Sequence, residues 1–186
     1  MQKARKSGYR ARAAYKLEEI DQRFRLIKPG QTVIDLGAAP GSWSQYAVKK
    51  LKGRGQLIML DLLPFDEIEG AQLIQGDFTN PVALEEIHSL TEGRQFDLVL
   101  SDMAPNITGI ALQDQAHYER LLESVLNFCE TALRPGGVLL TKFFEGESAQ
   151  VIRTRMKARF NQLKTIKPDA SRTHSKELYL LALNRK

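Results

Sequence analysis

Residues 32–43, with the sequence TVIDLGAAPGSW, constrain the fold of this chain more than any other stretch. A short apolar run that contains Asp35 leads into a turn of small residues from Gly37 to Gly41, and a helical pattern begins near Trp43. A strand, a glycine-rich turn and a helix in this order allow backbone N–H groups to approach a ligand closely. Because a glycine turn by itself is a weak motif, its meaning depends on the acidic residues later in the chain.

Apolar runs and helical patterns alternate along the rest of the sequence. Such alternation predicts an α/β fold, with a doubly wound, mostly parallel sheet of seven strands and helices on both faces. No helical pattern separates the last two strands, so they are expected to pair antiparallel. The predicted strands are residues 32–36, 56–60, 72–75, 96–100, 138–141, 163–166 and 178–183, and the predicted helices are 10–24, 42–51, 81–90, 113–133 and 147–160.

The length of 186 residues suits one domain. We divide it into a basic N-terminal helical extension, residues 1–28, and a core of sheet and helices, residues 29–186. The single cysteine, Cys129, lies among apolar residues and is expected to pack in the core. No metal site is expected, because metal-ligand spacing is lacking at His88, His117 and His174.

Neither a membrane span nor a secretory signal is predicted. No apolar run reaches the roughly 18 residues that a membrane span requires, and the basic N-terminus lacks the apolar segment of a signal peptide. We therefore expect no membrane contact. The single cysteine favours a reducing, cytoplasmic location, and the ordinary surface pattern favours a monomer.

Charge is distributed unevenly along the chain. Residues 1–28 contain nine Lys or Arg and three acidic residues, and residues 151–186 contain ten and two. The intervening residues 29–150 contain eight and seventeen, which leaves a formal net charge of +5 for the whole chain. Basic ends are typical of a protein that binds a polyanion such as nucleic acid. The acidic centre favours a small ligand that carries positive charge.

Charged side chains occur at or near the ends of five predicted strands, namely Asp35, Asp61, Asp77, Asp102 and Lys142. Ligands of doubly wound sheets bind beyond the carboxyl ends of the strands, so these side chains are expected to share one site. Asp61 follows the glycine turn by about 20 residues, a position that commonly binds ribose hydroxyls. Asp77 and Phe78 offer an acid and an aromatic face, which suit the amino group and the ring of adenine.

Two nucleoside cofactors compete for this site. A dinucleotide such as NAD would require a GxGxxG turn around its pyrophosphate, whereas Gly37 and Gly41 form only GxxxG, and the acids would repel phosphate. S-adenosylmethionine has no phosphate and carries a sulfonium and an amino group, which suit Asp35 and Asp102. The electrostatics therefore favour S-adenosylmethionine and disfavour an oxidoreductase.

Seven segments together resemble the RrmJ/FtsJ family of ribosomal RNA ribose 2′-O-methyltransferases. They occur in the family's order, span nearly the whole chain, and read SGYRARAAYKLEEI, VIDLGAAPGSWSQYA, LDLLPF, QGDF, LVLSDMAPNITG, LRPGGVLLTKFF and KPDASRTHSKELYL. The resemblance implies a Rossmann-like methyltransferase fold with the last strand antiparallel. It also implies transfer of a methyl group from S-adenosylmethionine to a ribose 2′-hydroxyl of RNA, in a uridine of the large-subunit ribosomal RNA.

The resemblance also implies which residues form the site. The family carries a catalytic Lys-Asp-Lys-Glu tetrad, which is matched here by Lys16, Asp102, Lys142 and Glu177. The family's cofactor contacts are matched by Gly41, Trp43, Asp61, Asp77 and Asp102. The glycine turn and the strand ends add three cofactor-binding candidates, Asp35, Gly37 and Phe78.

Two roles are open for Lys142 in such a site. As a neutral amine, which a neighbouring ammonium of Lys16 would favour, it could accept the proton of the ribose hydroxyl. As an ammonium, which Asp102 and Glu177 would favour, it could instead orient the hydroxyl while the proton leaves late.

The basic ends are the candidate RNA-binding segments, and Tyr9 could either stack on a base or pack in the protein. The candidate phosphate contacts are Lys3, Arg5, Lys6, Arg10, Arg12, Arg153, Arg155, Lys157, Arg159 and Arg172. Ribosomal RNA or the large ribosomal subunit is the expected partner, and transfer RNA is the alternative substrate. A non-catalytic RNA-binding factor of ribosome assembly is a second alternative, which the complete tetrad argues against.

Overall fold

The computed structural model describes residues 8–104, 108–146, 148–171 and 177–186. Within these ranges the helices are α1 (Ala13–Phe24), α2 (Ser42–Leu51), α3 (Pro81–Leu90), α4 (Ala111–Ala132) and α5 (Ala149–Arg159). The strands are β1 (Thr32–Leu36), β2 (Gln56–Asp61), β3 (Gln72–Gln75), β4 (Phe96–Ser101), β5 (Leu133–Phe144), β6 (Phe160–Ile166) and β7 (Glu177–Arg185).

All seven of these strands form one sheet in the order β3-β2-β1-β4-β5-β7-β6. The pairs from β3 to β5 are parallel, whereas β7 is antiparallel to both of its neighbours, β5 and β6. The sequence-based expectation of a doubly wound, seven-stranded, mostly parallel sheet is confirmed, and so is the antiparallel pairing of the last two strands. The strand order reverses between β1 and β4, which places the expected ligand crevice beyond these strands.

Side chains alternate between two buried layers, one on each face of the sheet. Ile34 and Leu36 of β1 pack in the layer covered by α3, α4 and α5, whereas Val33 packs in the layer covered by α1 and α2. Successive residues of a strand point to opposite faces, so a continuous apolar run such as β1 requires cover on both sides.

The helix α1 is part of this core. Leu17 and Ile20 are buried on the face that it shares with α2. Asp21 is also buried, and its carboxylate accepts hydrogen bonds from the backbone N–H of Ile27 (2.8 Å) and the hydroxyl of Tyr46 (2.9 Å). The helix of the predicted N-terminal extension is therefore packed in the core, so Lys16 occupies a defined position.

The largest difference from the predicted boundaries concerns β5, which extends from Leu133 to Phe144 rather than from 138 to 141. The register with β4 shifts between the pairs Phe96–Leu133 and Leu98–Val138. The residues in between include Pro135, which has no N–H to donate, and Gly136, whose φ is +75°. The sequence signal for a turn is therefore accommodated as an irregularity within a strand.

No helix in the described ranges combines the length and apolarity required to span a membrane.

Candidate active site

A cavity of about 610 Å³ lies beyond the carboxyl ends of the strands β1 to β4. Its wall contains three of the predicted aspartates: Asp61 ends β2, Asp77 follows β3 and Asp102 follows β4. Gly37 and Phe78 also line it. The strand ends therefore converge on one site, as expected for a doubly wound sheet.

Gly37 is required at its position for two reasons. Its φ is +71°, a conformation that side chains with a Cβ rarely adopt. A Cβ placed on it would lie 2.0 Å from Cγ of Met103, whose side chain also lines the cavity. The turn and the residue after Asp102 are thus packed directly against each other.

Asp61 connects the glycine turn to the end of β2. One carboxylate oxygen accepts a hydrogen bond from the N–H of Ala39 (2.8 Å), and the other accepts one from the N–H of Leu63 (2.9 Å). The carboxylate of Asp77 is held locally, because its Oδ1 accepts hydrogen bonds from the N–H and hydroxyl of Thr79. Each carboxylate oxygen has more than one lone pair, so both acids retain capacity to accept hydrogen bonds from a ligand.

Four charged residues form two ion pairs beside this cavity. Nζ of Lys142 lies 3.1 Å from Oδ1 of Asp102 and donates to the carbonyl of Asp102 at 2.8 Å. Lys16 of α1 forms the second pair with Glu177, the first residue of β7. The four side chains are between 11 % and 18 % exposed, so their charges are only partly screened by water.

Tyr179 bridges the two pairs and was not predicted from the sequence. Its hydroxyl lies 2.6 Å from Oδ1 of Asp102 and 3.1 Å from Oε1 of Glu177, so its single hydrogen can be donated to either acid. Burial and the two carboxylates raise the pKa of Tyr179 far above its ordinary value, which keeps the hydroxyl protonated as a donor. Glu177 and Tyr179 are two residues apart on one strand and therefore face the same side of the sheet. This spacing is visible in the sequence and could have indicated Tyr179 as a neighbour of the site.

Glu177 is ionised in this arrangement. Burial alone would raise the pKa of its carboxyl, but the hydrogen bond and charge of Lys16, the charge of Lys142 and the hydroxyl of Tyr179 outweigh burial. The pKa of Glu177 therefore lies below its ordinary value.

Three of the predicted cofactor-binding residues lie outside the cavity wall. Asp35 is 1 % exposed, and its carboxylate accepts a hydrogen bond from the hydroxyl of Ser44 at 2.6 Å. Burial raises the pKa of Asp35 to about 7, and the neighbouring charges of Asp102 and Asp61 act in the same direction. Trp43 is buried, and its indole N–H donates to the carbonyl of Ala13 at 2.8 Å.

Gly41, the third of these residues, lies where three segments meet. Its φ is +98°, and a Cβ there would lie 2.8 Å from both Nη1 of Arg10 and Cδ1 of Ile68. Asp35, Gly41 and Trp43 are thus buried and do not line the cavity. Cofactor binding by these three residues stays a prediction.

The predicted RNA contacts differ in how far they are engaged within the protein. Arg12 and Lys157 are exposed. By contrast, Arg153 pairs with Glu145, and the acidic side chains of α4 pair with Arg155 and Arg159. The ring of Tyr9 packs against Tyr15 and lies under Nζ of Lys49, 4.3 Å from the ring centroid. Four candidates lie outside the described residues: Lys3, Arg5, Lys6 and Arg172.

In the part of the chain that the structure describes, no group of three or more His, Cys, Asp or Glu side chains could hold a metal ion. Cys129 is buried, and burial raises the pKa of its thiol. The four paired residues and Tyr179 contribute two carboxylates, two amines and one phenol.

Comparison with known proteins gives a consistent result. Residues 9–185 match the profile of the FtsJ-like methyltransferases. The chain belongs to this family. The resemblance that the sequence segments indicated is thereby confirmed, and the protein is a methyltransferase.

Curated relatives of this FtsJ-like protein carry the name ribosomal RNA large subunit methyltransferase E. The relative from Thiobacillus denitrificans is 48% identical over 181 residues, which are 97% of this chain and 82% of that protein. The relative from Azoarcus sp. is 48% identical over 184 residues, which are 99% and 90% of the two chains.

Solved structures share the fold. A crystal structure from Plasmodium falciparum, described as that of a ribosomal RNA methyltransferase, is 28% identical and has a TM-score of 0.86, covering 95% of this chain and 98% of that one. Aeropyrum pernix fibrillarin, with S-adenosyl-L-methionine natively bound, is 14% identical, with a TM-score of 0.62 and coverage of 85% and 68%. The second likeness concerns the fold alone.

Proposed function

We propose that this FtsJ-like protein transfers a methyl group from S-adenosylmethionine to a ribose 2′-hydroxyl of large-subunit ribosomal RNA, in a uridine. The observation that carries the proposal is that Asp102 takes part in both halves of the site. It lines the cavity and also pairs with Lys142, so it connects a cofactor-sized cavity to the charged tetrad. The name shared by the curated relatives supports ribosomal rather than transfer RNA as the substrate.

The residues of the cavity fit S-adenosylmethionine. A volume of about 610 Å³ lies within the usual range for small-molecule sites. Among the described residues that line it there are three aspartates and neither Lys nor Arg, which suits a cationic ligand without phosphate. In this proposal Asp61 holds the ribose hydroxyls, Asp77 and Phe78 hold the adenine, and Asp102 lies nearest the positive groups.

When bound, S-adenosylmethionine supplies a methyl group on a positively charged sulfur. The protein has to align the ribose oxygen with that methyl group and manage one proton. As an ammonium, Lys142 has three N–H donors, and Asp102 accepts from it through Oδ1 and the backbone carbonyl. The remaining donor can hold the ribose oxygen in place.

Lys142 can also act as the base. If its amine is neutral, it accepts the proton of the 2′-hydroxyl as the oxygen attacks. Lys16, Glu177 and Tyr179 would then fix the position and charge of Lys142 and Asp102. The two roles differ in the form of Lys142 that they require: a base must be a neutral amine, whereas the orienting group is an ammonium.

Replacing Lys142 with alanine tests the assignment. Lys142→Ala should reduce methyl transfer at least about a hundredfold, because both roles require the amine, while S-adenosylmethionine still binds. The measurement is transfer of labelled methyl to the large ribosomal subunit and to its isolated RNA, with cofactor binding followed by calorimetry. Lys28→Ala, at an exposed lysine, is the matched control. Near-normal turnover of Lys142→Ala would contradict its role.

The choice of substrate is tested by the same assay. Ribosomal RNA and transfer RNA are offered separately, and the labelled ribose is mapped. Label found in transfer RNA alone would show that transfer RNA, not ribosomal RNA, is the substrate. Tight cofactor-independent RNA binding without any methyl transfer would favour an assembly factor.

We further propose that the protein works as a cytoplasmic monomer that contacts RNA through its basic ends.

A further inference from the structure

Arg10 makes an unusual set of contacts for an exposed arginine. Its guanidinium donates to three backbone carbonyls, those of Pro40 (3.0 Å), Asp66 (2.7 Å) and Glu67 (2.8 Å). Pro40 belongs to the glycine turn, and the other two belong to the irregular segment after β2. One side chain therefore joins the N-terminal segment to two others that are 30 and 56–57 residues away.

The backbone around Arg10 is itself held in place. The side chain of Gln45, on α2, accepts a hydrogen bond from the N–H of Arg10 at 2.8 Å and donates one to the carbonyl of Gly8 at 3.2 Å. Gly41 leaves the space that the guanidinium occupies, since a Cβ there would lie 2.8 Å from Nη1. The position of Arg10 is thus supported by two residues of the turn and helix that follow β1.

The segments that Arg10 joins both form walls of the cavity. Ala39, in the turn, lines the cavity and donates to Asp61, and Leu62 and Leu63 line it from the other segment. These two leucines are 67% and 64% exposed, so the core does not hold them. Phe65 and Ile68 of the same segment are half-buried and pack against the layer of α1 and α2, whereas the residues around them are exposed. Exposed residues without regular secondary structure need further contacts to keep one shape.

We propose that Arg10 is a positioning residue of the cofactor cavity, fastening residues 62–68 against the glycine turn. This inference rests on the proposed use of S-adenosylmethionine. In this role Arg10 shapes the site through backbone carbonyls and does not itself line the cavity. It was predicted from the sequence as an RNA phosphate contact, and the two roles make different demands on the side chain.

The geometry explains why arginine occupies this position. A guanidinium has five N–H donors in a rigid planar fork, which can serve three carbonyls at once. A lysine ammonium keeps the charge but concentrates its donors at one point. Phosphate contact would largely survive Arg10→Lys, whereas the three-carbonyl contact would not.

The test compares Arg10→Ala and Arg10→Lys with Arg54→Ala, a matched control at another exposed arginine. Binding of S-adenosylmethionine and of S-adenosylhomocysteine is measured by calorimetry without RNA. Both Arg10 variants should weaken binding about tenfold, the usual effect of losing a charge-assisted hydrogen-bonding group. The control should bind as the original protein does. Affinity within twofold of the original for both Arg10 variants would overturn the proposal.

Hydrogen exchange without cofactor separates this inference from the proposed function. The N–H groups of Leu63 and Ala71 are hydrogen-bonded within the segment, to Asp61 and Ile68. Their exchange should be several-fold faster in both Arg10 variants, and its rate in Arg54→Ala should equal that of the original protein. If the original protein does not bind S-adenosylmethionine, the proposed function fails, yet faster exchange would still support the fastening. Unchanged exchange in both variants would refute it.

Discussion

At the scale of single residues, Asp35 and Asp61 show how one residue type serves different purposes at the ends of neighbouring strands. Asp61 lines the cavity and holds the N–H groups of Ala39 and Leu63. Asp35 is enclosed, with Ser44 as hydrogen-bond donor, and burial raises its pKa to about 7. A carboxyl group that ionises near neutral pH in the core makes stability depend on pH.

Replacing Asp35 with asparagine should remove that dependence. The unfolded chain releases the proton near pH 3.8 and the folded chain near pH 7, so the folded state holds an extra proton in between. Stability therefore falls as pH rises through this window, by about 1.4 kcal/mol per pH unit and on the order of 4 kcal/mol in all. Asp35→Asn keeps an oxygen for Ser44 and cannot ionise.

Urea unfolding between pH 4 and pH 8 measures this effect. The stability of Asp35→Asn relative to the original protein should rise across the window and level off above about pH 7. Asp66→Asn, at an exposed aspartate, controls for the loss of one negative charge. Parallel curves for the original protein and Asp35→Asn would mean that Asp35 does not titrate in this window.

At the scale of elements, the antiparallel strand β7 brings the site together. Its register with β5 sets Tyr179 opposite Lys142, and opposite residues of paired strands share a face. Glu177, two residues earlier, faces the same side and reaches Lys16 of α1. Strand β7 thus connects Lys142 on β5, Asp102 beyond β4 and Lys16 on α1.

Tyr179→Phe tests this role of β7. Loss of the hydroxyl leaves Asp102 and Glu177 without their shared donor, so methyl transfer should fall about tenfold through looser positioning of Lys142. Tyr46→Phe is the matched control, because its hydroxyl also donates to a buried carboxylate, that of Asp21, on the α1–α2 contact. The two variants should lose similar stability, but only Tyr179→Phe should lose turnover. Equal activities would argue against a positioning role.

At the scale of the whole molecule, the predicted RNA-contacting arginines differ in whether acidic side chains already balance their charge. Acidic side chains of the acidic centre already pair with arginines of α5, such as Arg155 with Glu123 and Arg153 with Glu145. Arg12, close to the start of α1, is exposed. A charge that an acidic neighbour already balances attracts phosphate less, so Arg12 should contribute more to RNA attraction than Arg153 or Arg155.

The salt dependence of RNA affinity checks this difference. Affinity should fall steeply between 50 and 200 mM salt, roughly as expected for release of several counterions. Arg12→Ala should reduce the slope of log affinity against log salt by about one. Arg155→Ala should reduce it less, because Glu123 already balances that charge. A larger change for Arg155→Ala than for Arg12→Ala would contradict this prediction.

Much of the fold could be predicted because its signals are local. Strand β1 and the turn after it, the helix α3 and the antiparallel end of the sheet follow from hydrophobic periodicity and from glycine and proline positions. The sequence predicts a shorter β5 than the structure has, because a Pro-Gly-Gly stretch indicates a turn. Only the pairing with β4 shows that the strand begins before this stretch.

From the amino-acid order alone follow the α/β architecture and the acids placed where the parallel strands end, and the family resemblance adds the candidates for a catalytic tetrad. Only the three-dimensional arrangement shows the partners of each side chain: Asp61 faces the cavity and Asp35 the core, Tyr179 joins two ion pairs, and Arg10 binds carbonyls. The reason is physical. Periodicity reports which side of an element is buried, whereas hydrogen-bond partners come from distant parts of the chain, as with Lys16 and Glu177, 161 residues apart.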